Sequence, residues 1–185
     1  MATFIALLRA VNVGGRKVPM ADLRALCERL DFEEVQTYIQ SGNLVFTTTG
    51  TPAAVTAKLE KAIAKKFGIE VPVILRTAEQ WKAYLTVPKA LAKAAAEKPN
   101  WIMLGLSKEP PKKEALAALR ERAKNGEKIE ALGDGIWIYY QAGVADSKLA
   151  PSFIDKVVGS PLTARNWNTV RKLGEMAGAT SPTPA

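Results

Sequence analysis

One order of apolar runs and chain breakers occurs twice along this 185-residue chain, and few architectures accommodate that recurrence. Residues 3–11 (TFIALLRAV) form a short apolar run without helical period, which reads as a buried strand. Residues 12–19 (NVGGRKVP) interrupt it with two glycines and a proline, after which Leu23, Leu26, Cys27 and Leu30 recur at helical spacing. The β-prone runs 35–40 and 44–48 flank Ser41-Gly42-Asn43, a hairpin signal. Pro52 opens an amphipathic helix whose inward face is Val55, Leu59, Ala62, Ile63 and Phe67, and Gly68 ends it. Residues 71–76 are the next strand. Thr77 and Gln80 then have capping-box spacing for a short helix through Trp81 and Leu85.

The order returns after residue 100. Residues 100–106 (NWIMLGL) are a strand, 112–122 a helix with Leu116 and Leu119 inward, and 128–140 a hairpin turning at Gly133-Asp134-Gly135. Phe153, Ile154, Val157 and Val158 supply the apolar positions of a short helix over 151–158, and 162–165 is a brief strand. Trp167, Val170, Leu173 and Ala177 mark a last helix. The expected fold class is therefore α+β, with two ferredoxin-like βαββαβ halves related by an internal pseudo-duplication. Residues 1–87 form the first half and 100–177 the second. An Ala- and Lys-rich, partly helical connector spans 88–99, and 178–185 read as a flexible tail.

Composition narrows the function classes. Apolar residues at 48% and charged residues at 24% are ordinary for a globular chain and unlike disordered ones. Apolar runs do not exceed five residues, where a membrane span needs about 20, so no membrane partner is expected. A single cysteine and no secretory leader pattern place the protein in the cytoplasm. The net charge of +8 comes equally from residues 1–97 and 98–185, each with 13 basic and 9 acidic residues. Without a basic arm, that excess reads first as a solvated surface and only second as a nucleic-acid partner.

The chain has no histidine, which removes the commonest general base and the Ser-His and Cys-His nucleophile pairs. One cysteine on an apolar helix face builds no zinc site, so neither metal nor cofactor is expected. No catalytic constellation is recognisable, and whether the protein is an enzyme stays open. Gly14-Gly15-Arg16-Lys17 suggests an anion-holding loop but lacks the further Gly-Lys-Ser/Thr of a P-loop and the third glycine of a dinucleotide fold. This loop is much longer than the matching Pro-rich connection 107–111. Added loop length costs little and often carries binding, which makes Arg9, Asn12, Gly14, Gly15, Arg16 and Lys17 candidate contacts. A second polar cluster, Arg165, Asn166 and Asn168, meets a helix start, where unpaired amides favour an anion. Asn166 is also placed to cap that helix. The aromatics do not form the RNP signature of RNA-recognition modules.

Three stretches carry a resemblance to the bacterial family known as domain of unknown function 1697. They are residues 6–15 (ALLRAVNVGG) with Met20 and Leu23 beyond, residues 38–46 (YIQSGNLVF), and residues 165–170 (RNWNTV). The resemblance implies a two-part α+β fold and brings no activity, cofactor or catalytic residue. It adds Ser41, Gly42 and Asn43 of the hairpin turn to the candidate binding residues. The expected function is binding of a small phosphate- or carboxylate-bearing ligand at these polar loops, with arginines pairing the charge and amides orienting it. The alternatives are a histidine-free enzyme on a phosphorylated or nucleotide-like substrate, using Tyr38 or Asp22 for proton transfer, and a nucleic-acid-associated protein. Oligomeric state is not legible.

Overall fold

The structure, a computed structural model, describes residues 1–180. Its contacts divide the chain into two units, Met1–Lys82 with Leu173–Thr180, and Ala83–Lys172. The first contains β1 (Ala2–Leu8), α1 (Met20–Glu28), β2 (Glu33–Tyr38), β3 (Asn43–Thr48), α2 (Pro52–Phe67), β4 (Val73–Thr77) and α3 (Ala78–Trp81). These strands form an antiparallel sheet in the order β2-β3-β1-β4.

β1 is central, with Phe4 opposite Phe46 of β3 and Ala6 opposite Leu75 of β4. All of Phe4, Ile5, Ala6, Leu7 and Leu8 are buried. Since neighbouring side chains point to opposite faces, both faces of β1 are covered, and this is why the run lacks polar alternation. One face joins α1 and α2 in a core of Phe4, Leu8, Leu23, Cys27, Phe46, Leu59 and Ile63. Phe32 stacks on Phe46 there at 4.5 Å between ring centroids. Burying a Leu59 or an Ile63 contributes about 2 kcal/mol each, and such burial holds α2 in place. The Thr51 hydroxyl accepts from the Ala54 amide, Pro52 sits in the first turn, and Gly68 closes the helix at φ 68°. The reciprocal Thr77–Gln80 capping box forms and directs β4 into α3.

The second unit holds α4 (Ala92–Glu97), β5 (Ile102–Ser107), α5 (Ala115–Arg122), β6 (Lys128–Leu132), β7 (Gly135–Tyr139), α6 (Pro151–Val158) and β8 (Leu162–Asn166). Its sheet is also antiparallel, in the order β6-β7-β5-β8. Ala115 and Leu119 of α5, Ile154 and Val158 of α6, and Ile129, Ile136 and Ile138 of the sheet make its core. The final helix α7 (Trp167–Met176) starts in this unit and contributes its C-terminal part to the first. No described helix is long and apolar enough to cross a membrane.

Three local expectations are revised. The opening strand stops at Leu8 rather than residue 11, because Ala10 and Asn12 adopt φ 52° and 56°, outside the strand region. The helix expected from residue 112 starts at Ala115, after a turn in which the Ala115 amide donates to Lys112. Gly178 and Ala179 of the expected tail are seated, since Gly178 takes φ 66°, the Ala179 amide donates to Gly174, and Ala179 is buried. The rest of that tail, residues 181–185, lies outside the described residues.

Candidate functional site

The loop between β1 and α1 is shaped by two side chains that fold back on their own backbone. Asn12 donates from Nδ2 to the Val18 carbonyl at 3.0 Å and the Gln40 carbonyl at 2.7 Å. Its Oδ1 accepts from the Val18 amide at 2.9 Å. Arg16 donates from Nε to the Ala10 carbonyl at 2.9 Å and from Nη2 to the Glu70 carbonyl. The Asn12 amide donates to the Arg16 carbonyl at 2.7 Å, which closes the loop's neck. Val11 is buried beneath. The tip, Val13-Gly14-Gly15, stands outside this frame and is exposed.

Gly14 and Gly15 lie at φ 55° and 83°, and a Cβ added to either would meet nothing within 4 Å. Their amides have no acceptor among the described residues. Consecutive amides in such a conformation form a small concavity of positive potential. Lys17 is exposed next to them.

The β2–β3 turn abuts this loop. The Leu8 amide donates to the Gly42 carbonyl at 2.8 Å. A Cβ on Gly42, at φ 79°, would sit 2.5 Å from Val11 Cγ2 and 2.8 Å from Leu8 Cβ, so only glycine lets the turn lie against the end of β1. Asn43 is fully buried and donates from Nδ2 to the Tyr38 carbonyl at 2.8 Å and to Ser41 Oγ at 3.0 Å. Ile39 adopts φ 49° and is 49% exposed; Val13 is 57% exposed. Ala10, Asn12 and Ile39 are thus three non-glycine residues in the left-handed region within two touching segments. Backbone strain of this kind persists where surrounding contacts over-determine it, and it clusters at functional sites.

Arg9, Asn12, Gly14, Gly15, Ser41, Gly42 and Asn43 accordingly lie in two touching segments of the first unit, of which Gly42 and Asn43 are buried and the Gly14-Gly15 tip is exposed. Arg9 is half-buried and its amide donates to the Pro72 carbonyl. Arg165, Asn166 and Asn168 belong to the second unit, where they make their own network. Arg165 is 7% exposed and donates from Nη1 to Thr163 Oγ1 at 2.8 Å and to the Ala164 carbonyl at 2.9 Å. Burial lowers its pKa to about 10, which leaves it charged at neutral pH. Asn166 Oδ1 accepts from the Thr169 amide at 2.9 Å, the N-cap of α7. Asn168 donates to Asn100 Oδ1 at 2.7 Å and accepts from Arg171 at 2.6 Å. The Arg171 guanidinium lies 5.7 Å from the Trp167 ring centre.

Sequence reasoning missed the internal roles of Arg16, Asn100 and Arg171. The place of Arg16 in the loop suggests a ligand contact, yet the carbonyls it reaches belong to residues 6 and 54 positions away, which no local pattern reveals. Cys27 is buried, and burial followed by the Glu28 charge pushes its thiol up to about 12. It is a core side chain without thiolate chemistry.

The family described as protein of unknown function (DUF1697) matches residues 1–137. The chain belongs to this family. The match includes both of these first-unit segments and ends before Arg165. This DUF1697 member is also similar to the solved structure of the conserved bacterial protein SP0830 from Streptococcus pneumoniae. The two are 24% identical with a TM-score of 0.74, over 95% of this chain and 98% of that one, a likeness of fold. No curated protein matches the DUF1697 chain.

Proposed function

We propose that this protein binds a small phosphate- or carboxylate-bearing ligand at the loop between β1 and α1, with the β2–β3 turn as its supporting wall. The single observation that carries the reading is the pair of exposed Gly14 and Gly15 amides, unmatched by any acceptor among the described residues, on a loop whose neck is pinned by Asn12 and Arg16. A pinned loop loses little freedom when it closes on a ligand, which favours affinity. Lys17 supplies charge, and Asn12, Ser41, Gly42 and Asn43 hold the shape. Arg9 is the further residue of this unit assigned to anion recognition.

The same reading takes the two units as copies of one ferredoxin-like plan. The shared element order and shared strand order support it. In these terms the first copy carries the functional loop, 11 residues between β1 and α1 against seven between β5 and α5.

Calorimetric titration with inorganic phosphate, pyrophosphate and citrate at low salt tests the binding reading. Lys17→Ala and Gly15→Ala are the informative variants, because both positions are exposed and an alanine at Gly15 meets no neighbour within 4 Å while its φ of 83° strains the turn that presents the amides. Wild type should bind at least one of the three anions, and each variant should weaken that binding about fivefold or more. Unaltered affinity in both folded variants removes the loop from the site.

A further inference from the structure

A cleft in the second unit, far from any sequence motif, has the makings of a separate site. It is open to solvent, offers about 520 Å³ and is lined by Ala118, Glu121 and Arg122 of α5, Phe153 of α6, and Lys124 and Lys148 from the segments after α5 and before α6. Clefts of this size hold small organic molecules. Among the described residues, none of Arg122, Lys124 and Lys148 is paired with a carboxylate. The one other cation contact is Arg122, whose guanidinium lies 5.3 Å from the centre of the Phe153 ring.

The two lysine-bearing segments are tied to each other. Asn125 donates from Nδ2 to the Asp146 carbonyl, and the Ser147 hydroxyl donates to Glu127. Glu127 also accepts from the Asn125 amide at 2.8 Å, so the nearby carboxylate is engaged in fastening the loops. These bonds hold Lys124 and Lys148 on one opening, where like charges would otherwise drift apart. Three cations and the Glu121 carboxylate leave the lining at +2. A phosphomonoester carries nearly two negative charges at neutral pH. The Arg122 guanidinium lies over the Phe153 ring, a contact that leaves its N–H donors for phosphate oxygens. Ala118 and the rest of the Phe153 side chain offer apolar surface to whatever the phosphate is attached to.

We propose that this cleft binds a small phosphomonoester with an apolar organic body, the phosphate on Arg122, Lys124 and Lys148 and the body against Ala118 and Phe153. It stands independently of the loop reading, and the test separates the two. Backbone amide NMR of the full chain is followed at low salt during titration with phenyl phosphate and with inorganic phosphate. Phenyl phosphate should shift the amides of residues 118–124 and 148–153 and bind about tenfold more tightly than inorganic phosphate. Lys124→Gln with Lys148→Gln, both exposed positions, should weaken phenyl phosphate about tenfold or more. Phe153→Leu should weaken phenyl phosphate more than inorganic phosphate, because it removes the apolar contact as well as the support for Arg122, and so should narrow the difference between the two probes. Equal affinity for both probes, or an unchanged affinity in the lysine double variant, overturns the proposal. Shifts confined to residues 12–17 overturn it too, and in that case the loop site alone stands.

Discussion

The Asn12 carboxamide reaches the Gln40 carbonyl across 28 residues of sequence at 2.7 Å, and that bond ties the first crossover loop to the first hairpin turn. The same side chain is bonded to both polar backbone atoms of Val18, and Val18 itself is buried. Asparagine satisfies all three contacts and tolerates its own φ of 56°, a combination no other residue type supplies.

Asn12→Asp keeps the acceptor for the Val18 amide and removes both donated bonds, leaving a carboxylate against two carbonyls. It should cost about 2 kcal/mol or more in urea unfolding. Asn12→Gly loses the three side-chain bonds but relieves the backbone at φ 56° and buries no charge, so it should be less destabilised than Asn12→Asp. Wild-type stability in Asn12→Asp would mean that the Gln40 contact holds nothing.

Gly42→Ala and Gly14→Ala make a matched pair. Both positions have positive φ, so each substitution carries strain of about 1 kcal/mol. Only at Gly42 does the new methyl also collide, with Val11 and Leu8. Gly42→Ala should therefore lose about 2 kcal/mol more than Gly14→Ala in the same unfolding assay. Equal losses would show that the turn can lift off β1 at no cost.

Much of this architecture is legible in the residues, for reasons that differ by element. Helix α2 is read with its ends because Pro52, Gly68 and the face of Val55, Leu59 and Ile63 all encode the same answer. The Thr77–Gln80 capping box is equally local. The end of β1 is not legible, because Ala10 and Val11 continue the apolar run and only the hydrogen bonds of Asn12 and Arg16 turn the backbone there. The share of α7 that belongs with the first unit is also hidden, since Leu173 and Ala177 have helical spacing whichever unit they bury against. The candidate site divides likewise. Gly14 and Gly15 announce an unusual backbone, whereas Arg122, Lys124 and Lys148 approach one cleft only after α5 and α6 have packed.

At the start of α7, Asn166 spends its side-chain oxygen on the Thr169 amide. Asn166→Ala should lower stability by about 1 kcal/mol, and Asn166→Ser or Asn166→Asp should restore most of it. Because its sequence context also makes this residue a candidate anion contact, the Asn166→Ser protein distinguishes the roles. Restored stability together with lost phosphate binding identifies a ligand contact. Restoration of both leaves Asn166 as a cap and nothing more.

Glu127 gives the second unit an acid-sensitive fastening. Burial disfavours its charge, but hydrogen bonds from Ser147 and from the Glu127 and Asn125 amides outweigh that and hold the carboxyl below its ordinary value of 4.5. A carboxyl whose folded pKa is depressed contributes stability that is fully present above its unfolded pKa and is lost as the pH falls through the folded one. The melting temperature of wild type should therefore fall more steeply below about pH 4.5 than that of Glu127→Gln, whose fastening does not titrate. Ser147→Ala removes the strongest of the opposing hydrogen bonds, so its folded value rises towards the ordinary one and its acid-dependent loss shrinks. Parallel melting curves for all three proteins between neutral pH and about pH 3 would mean that the ties between the Lys124 and Lys148 segments do not depend on this charge.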